Sequence, residues 1–337
     1  MNKKYFILFS NCILTRGAIQ SSICDLQIGA YALVPNFIAD FLAQSRHISM
    51  EDARKSYTHD FEELLDYLKC IERDGLGFWC DEPGLFPEMS LAWDSPCTIT
   101  NCIIDIDEHS NHGYGKIFSE LESLGCDALQ IRAYSCLPID FIDKILSLTK
   151  TSRLTSMELI VKHDVGIEEN DWVNLCLKHG RIKSLIVHSS PCEKQIRPAH
   201  GLVSISYSQT IVDSDLHCGI ISPDFFTVNL NLFSEAKNFN SCLNRKVGID
   251  VKGNIKNCPS MQESFGNIQE NTITSVIHSN GFRKSWSITK DQVEVCKDCE
   301  FRYICTDCRA FITDSENLYS KSFKCRYNPY TATWEDQ

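Results

Sequence analysis

The sequence predicts an α/β protein in three parts: an N-terminal unit of strands and helices, a partial (β/α) barrel, and a cysteine-rich C-terminal module. Three observations predict it. Residues 1–90 read as short strands followed by helical periodicity. Residues 95–238 alternate strand with helix, the pattern of a parallel sheet whose right-handed crossovers bury both faces. Residues 239–337 hold seven cysteines at organised spacings.

Composition narrows the function. The 337 residues are 43% hydrophobic, enough for several cores, and the net charge of -11 argues against nucleic acid or an anionic membrane as partner. A peptide or another protein is the partner expected. The apolar run after Lys3 and Lys4 is about six residues, shorter than a secretory h-region, and reads as a first strand. No stretch approaches the roughly 18 apolar residues of a membrane span, so a cytoplasmic location is expected. In that reducing compartment the 18 cysteines are not expected to form disulfides. Cys70, Cys126 and Cys176, inside apolar helix-like stretches, read as core residues.

In the first unit, FILFSNCIL and SSICDLQIGAYALVP read as strands, with turns at Arg16-Gly17 and near Gly29. NFIADFLAQ follows, then a helical pattern from Asp52 to Gly75 with Ser49 as its N-cap. Phe61, Leu64, Leu65, Leu68 and Ile71 give it one apolar face, Gly75 ends it, and LGFWCDE returns as a strand. This order, and the stretch ICDLQIGAYALVPNFIADFL, resembles the winged-helix domain that recognises leader peptides in peptide-maturation enzymes. The resemblance implies a peptide added as a strand beside Tyr31, Leu33 and Val34, against a helix carrying Leu64, Tyr67 and Leu68. An ordinary winged helix would instead turn its apolar face onto the next domain.

A Pro-, Gly- and Asp-rich linker, DEPGLFPEMSLAWDSP, leads into the alternating region. TITNCIIDID, DALQIRAY, SMELIVKHD and IKSLIVHSS read as strands, and YGKIFSELESLG, PIDFIDKILSLTK and EENDWVNLCLKHG as the helices between them. Polar residues at strand ends are candidates, because α/β barrels place functional groups there. Asp105 and Asp107 read first as capping or solubility residues, and His163 with Asp164 shares their position. Glu108, His109 and His112 fit either a metal site or a solvated connection.

Two residues between cysteines let both sulfurs face one centre, so CKDCEFRYICTDC points to bound zinc or an iron-sulfur cluster. Spacing alone does not separate the two. The full series, Cys242, then Gly253 and Cys258, then Cys296, Cys299, Cys305, Cys308 and a distal Cys325, resembles the SPASM domain of radical SAM enzymes that modify ribosomal peptides. That family usually has three residues where two separate Cys305 from Cys308. The resemblance implies one or two four-iron clusters. One would sit on Cys296, Cys299, Cys305 and Cys325, the other on Cys242, Cys258 and Cys308, with its fourth position open to Cys218, to a substrate group, or to nothing.

The alternating region resembles a radical SAM partial barrel that lacks the CxxxCxxC loop after its first strand and has Arg132, Ala133 and Tyr134 where a GGE-type motif is expected. Cleavage of S-adenosylmethionine is therefore not expected. The whole chain resembles the SPASM proteins of grasp-with-spasm systems, which implies a precursor peptide and an ATP-grasp ligase as partners. A redox enzyme acting through an auxiliary cluster and a zinc-stabilised interaction protein are the alternatives.

Overall fold

The computed structural model describes residues 4–198, 203–306 and 308–335. The reading of Met1–Lys3 therefore falls outside the described residues. The N-terminal unit contains β1 (Tyr5–Leu8), β2 (Cys12–Arg16), β3 (Gln20–Asp25), β4 (Ala30–Pro35), α1 (Asn36–Leu42), α2 (Met50–Ser56), α3 (Phe61–Arg73) and β5 (Gly77–Cys80). FILFSNCIL is two strands: the chain turns at Phe9–Asn11, where Cys12 N–H donates to Phe9 O over 2.9 Å, and β1 pairs with β5 while β2 joins the β2-β3-β4 meander. The helical pattern after Ser49 also divides, since Tyr57 leaves helical geometry before α3 begins. Ser49 caps α2, its hydroxyl accepting from Asp52 N–H and donating to the Asp52 carboxylate over 2.7 Å. Phe61, Leu64, Leu68 and Ile71 bury one face of α3 in a core with Ile23, Val34, Ile38 and Phe41, each worth about 1.5–3 kcal/mol.

The middle region builds β6 (Asn101–Ile106), α4 (Tyr114–Leu124), β7 (Ala128–Ala133), α5 (Ile139–Ser147), β8 (Ser156–Lys162), α6 (Glu169–Lys178), β9 (Ile182–His188), β10 (Lys194–Ile196) and β11 (Ser204–Tyr207). After α7 (Leu230–Asn238), a hairpin of β12 (Lys246–Ile249) and β13 (Ile255–Lys256) joins the same sheet. The strand order is β10-β11-β9-β8-β7-β6-β12-β13, with β6, β7, β8, β9 and β11 parallel. From β6 to β9 neighbours follow chain order, so right-handed crossovers put α4, α5 and α6 on one face, and β12 returns to the free side of β6. Antiparallel β10 and β13 stand at the two edges, and the eight-stranded sheet stays open.

Side chains alternate along each strand. Cys102, Ile104, Ile106, Leu129, Ile131, Leu159 and Val187 pack into a core with Ile117, Phe118, Leu121, Ile145 and Trp172 from the helices. The intervening positions, among them Asp105, Gln130, Arg132 and Glu158, project from the other face. A third core joins the ends of the chain: Cys24 and Leu26 lie among Phe233, Phe301, Tyr303, Ile304 and Tyr327. The C-terminal module adds α8 (Ile273–Ile277) and a short pair, β14 (Tyr327–Asn328) with β15 (Thr333–Trp334). Among the described residues no helix is long and apolar enough to cross a membrane.

Candidate cluster sites and the barrel face

Cysteine chemistry concentrates at two places. At the first, Cys296 opens a 3-10 turn after Val295, whose φ of 65° and ψ of -47° are unfavourable for a β-branched residue. Cys296 N–H donates to Glu294 O over 2.7 Å, closing a tight γ-turn that sets the direction of the following sulfur. Phe301 N–H donates to Cys299 Sγ over 3.4 Å, a bond of the kind that tunes cluster thiolates. Burial pushes the Cys299 thiol up, and neighbouring Glu300, Cys305 and Cys296 add to the shift. Cys299, Cys305 and Cys325 all pack against the third core. Three of the four residues implied by the SPASM resemblance thus lie around one aromatic cluster, with Cys296 close enough to Cys299 to act on its thiol.

At the second place, Cys258 and Cys308 are buried and Cys242 is half-buried. Lys246 Nζ donates to Cys242 Sγ over 3.5 Å and also faces the Cys258 and Cys218 sulfurs. Cys218 hydrogen-bonds with Cys258. That bond, with the Arg132 and Lys246 cations, pulls Cys218 down to about 5 despite burial, whereas donation to Cys218 and burial push Cys258 well above the usual thiol range. Gly219, at a φ of 77°, lies so close to Cys308 that a Cβ there would stand 2.9 Å from its sulfur. Cys218, in the loop after β11, thus stands beside Cys258 at this second place. Of the three options the sequence leaves open for the fourth position, Cys218 is the one found beside Cys258, although it has no cysteine partner at two-residue spacing and lies upstream of α7.

Both sets offer the soft thiolates that suit iron-sulfur clusters. Among the described residues no three His, Cys, Asp or Glu side chains converge as a metal-ion site. Sulfurs around one zinc would stand about 3.8 Å apart, by tetrahedral geometry, while each ligand of a four-iron cluster takes a separate corner. A bound cluster would supply one-electron redox chemistry or a covalent brace.

The barrel face beside the second set is polar and buried. Asp105 holds Arg132 through two bonds of 2.6 and 2.8 Å and accepts from the Tyr134 hydroxyl over 2.7 Å. Burial raises the Asp105 carboxyl against the opposing pull of Arg132 and Tyr134. Asp105, read as a capping or solubility residue, is instead a buried ion-pair partner, because its strand position faces inward. Asp107 is the capping residue, its carboxylate accepting from His109 N–H and the Ser110 hydroxyl, both over 2.9 Å. The metal reading of the loop fails: His112 is buried with Nε2 2.9 Å from Asp105 O, while His109 is exposed beside Glu108. Asp164 only closes its own turn onto Gly166 N–H. His188 was not anticipated; burial lowers its pKa, and its Nε2 lies 2.9 Å from Ala133 O. A recess of about 220 Å³ lies on this face between Asn101, Gln130, Ser156, Glu158 and Lys246.

The six residues of the expected peptide groove separate. Leu64 and Leu68 are fully buried and Val34 is 5% exposed, so these three belong to the core and do not line an open groove. Tyr31 packs edge-on against Phe301, with ring centres 5.6 Å apart. Leu33 is exposed on β4, and Tyr67 is half-buried against Phe37. β4 pairs only with β3, so its outer edge has no strand partner among the described residues.

With this geometry established, comparison with known proteins is informative for the C-terminal module. Residues 241–300 match the family model SPASM, described as an iron-sulfur cluster-binding domain. The match includes Cys242, Cys258, Cys296 and Cys299 and stops before the remaining three. No curated protein matches the chain. Two crystal structures of SuiB from Streptococcus suis, one bound to S-adenosylmethionine and one to the precursor peptide SuiA, align at 10% identity over 94% of this chain and 98% of theirs, with TM-scores of 0.40 and 0.41.

Proposed function

We propose that this chain is a maturation protein for ribosomally made peptides, in which the N-terminal winged-helix-like unit holds a precursor and an ATP-grasp ligase is the catalytic partner. The observation that supports the reading is the SPASM match over residues 241–300, beside which Cys299 lies near Cys296 and Cys305, and Cys258 near Cys218 and Cys242. Cys296, Cys299, Cys305 and Cys325 hold one four-iron cluster, and Cys218, Cys242, Cys258 and Cys308 the other. The barrel has no CxxxCxxC triad, and Asp105, Arg132 and Tyr134 bond to one another at its first two strand ends. S-adenosylmethionine cleavage is therefore not assigned to it. The peptide lies along the open edge of β4 beside Leu33 and Tyr67, and the protein works in the cytoplasm.

Anaerobic purification with iron, sulfide and zinc analysis tests the metal assignment: about eight irons and eight sulfides support it, and one or two zincs without sulfide reject it. Cys218→Ser is expected to lose part of the second cluster's iron; an unchanged cluster spectrum removes Cys218 as a ligand. Leu33→Glu is expected to weaken binding of a precursor peptide at least ten-fold, and unchanged affinity would move the peptide elsewhere. A second reading, redox modification of the peptide by the second cluster, is favoured by the Lys246 ammonium beside Cys242.

A further inference from the structure

The N-terminal unit does not hang from its linker. The turn between β2 and β3 is seated on the loop that contains the first CxxC. Ala18 N–H donates to Asp298 O over 2.8 Å, and Arg302 Nη1 donates to Arg16 O over 2.7 Å and to Cys299 O over 2.9 Å. Inside the joint, the Ser22 hydroxyl donates to Glu300 O over 2.7 Å, and Gln20 Nε2 donates to Glu300 Oε1 over 2.7 Å. Tyr327, two residues after Cys325, donates its hydroxyl to the same Glu300 oxygen. Glu300 is 1% exposed, and its Oε2 has no hydrogen-bond partner among the described residues. Gly17 is pressed against it: a Cβ there would stand 2.9 Å from Glu300 Oε2 and 2.4 Å from Gln20 O.

We propose that loading of the first cysteine set controls docking of the N-terminal unit, with residues 296–302 as the socket. This rests on the cluster assignment above. The physical case is connectivity. Every one of these bonds to the socket ends on a residue between two ligands or two positions from one, so the path of this loop fixes where the acceptors stand. The loop has no helix or strand ladder of its own to hold that path; its regular structure is a single 3-10 turn at Cys296–Asp298. Thiolates bound to a common centre restrict it to one conformation, as metal sites do when binding and folding are coupled. Without that restraint the carbonyls of Asp298, Cys299 and Glu300 lose their fixed spacing, and the buried Glu300 carboxylate has every reason to move to water. The N-terminal unit then keeps its own core, built from β3, β4, α1 and α3, and loses its seat.

The test is hydrogen exchange on the full chain, loaded and after chelation, with iron, zinc and sulfide measured on the same samples. The expected result is at least ten-fold faster exchange at residues 16–22 after metal removal, with β6 to β9 unchanged. Equal exchange at residues 16–22 in the two samples overturns the proposal. The metal analysis separately decides the cluster assignment: a purified protein holding neither iron nor zinc overturns both. Gly17→Ala distinguishes socket from cluster. It is expected to speed exchange at residues 18–22 while leaving iron content unchanged; retained protection would mean that the seat does not depend on this contact.

Discussion

The two cysteine sets carry the same sulfur chemistry in opposite surroundings. The first lies against Phe301, Tyr303, Tyr327 and Trp334, in a core that also takes in Cys24 and Leu26 from the N-terminal unit. The second lies beside charge: Lys246 faces three of its sulfurs, and Arg132, already paired with Asp105, adds to the field at Cys218. Aromatic packing fixes positions, whereas buried charge sets potentials and proton affinities. The first set thus sits where parts of the molecule meet, and the second in a field of buried charge.

The sharpest way to break that comparison is to empty the first set. Cys299→Ala with Cys305→Ala should remove about half of the iron and lower the thermal midpoint more than the corresponding pair Cys242→Ala with Cys258→Ala, measured by calorimetry beside metal analysis. Next in size is the ion pair behind the second set. Arg132→Ala leaves Asp105 buried without its cation and should cost about 3–5 kcal/mol in denaturant unfolding. Asp105→Leu with Arg132→Met should recover much of that loss. A smaller, more selective effect is expected at Lys246. Lys246→Met removes one positive charge beside the second set and, with a cluster bound there as proposed, should lower its midpoint potential by roughly tens of millivolts without moving that of the first; an EPR-monitored titration with dithionite reads both. The mildest probe is alkylation of the metal-free protein. Cys218, held as a thiolate above about pH 5, should react with iodoacetamide at pH 6.5, while Cys12, Cys126 and Cys176, each pushed up to about 12 chiefly by burial, stay unmodified.

Local pattern carried a large part of the structure. The alternating strands and helices of the barrel follow the sequence periodicities because each crossover unit buries its own apolar face, and the C-terminal spacing points to a SPASM module because ligand geometry constrains nearby residues. What was illegible depends on the chain meeting itself at a distance. Cys218 is a named option in the sequence, but it lies in an irregular loop, and only the path of the chain after β11 brings it to Cys258. The Asp105–Arg132 pair joins neighbouring strands, and a polar residue at a strand end looks alike in sequence whether it faces water or the barrel interior. The α3 face shows a different limit. Its periodicity identifies Leu64 and Leu68 as one stripe, but not whether that stripe binds a ligand or its own sheet, and here the sheet takes it. FILFSNCIL looked continuous because the residues on either side of its turn are apolar, although they belong to different sheets.

The backbone at Val295 has a consequence for the order in which the C-terminal module matures. A β-branched residue at positive φ costs about 1–3 kcal/mol, a tension the metal-free chain can shed by letting Cys296 swing outward. Ligation of Cys296 would wind that turn like a spring held by its catch. The arrival of the cluster would then be the step that locks the loop, and its loss the step that lets go.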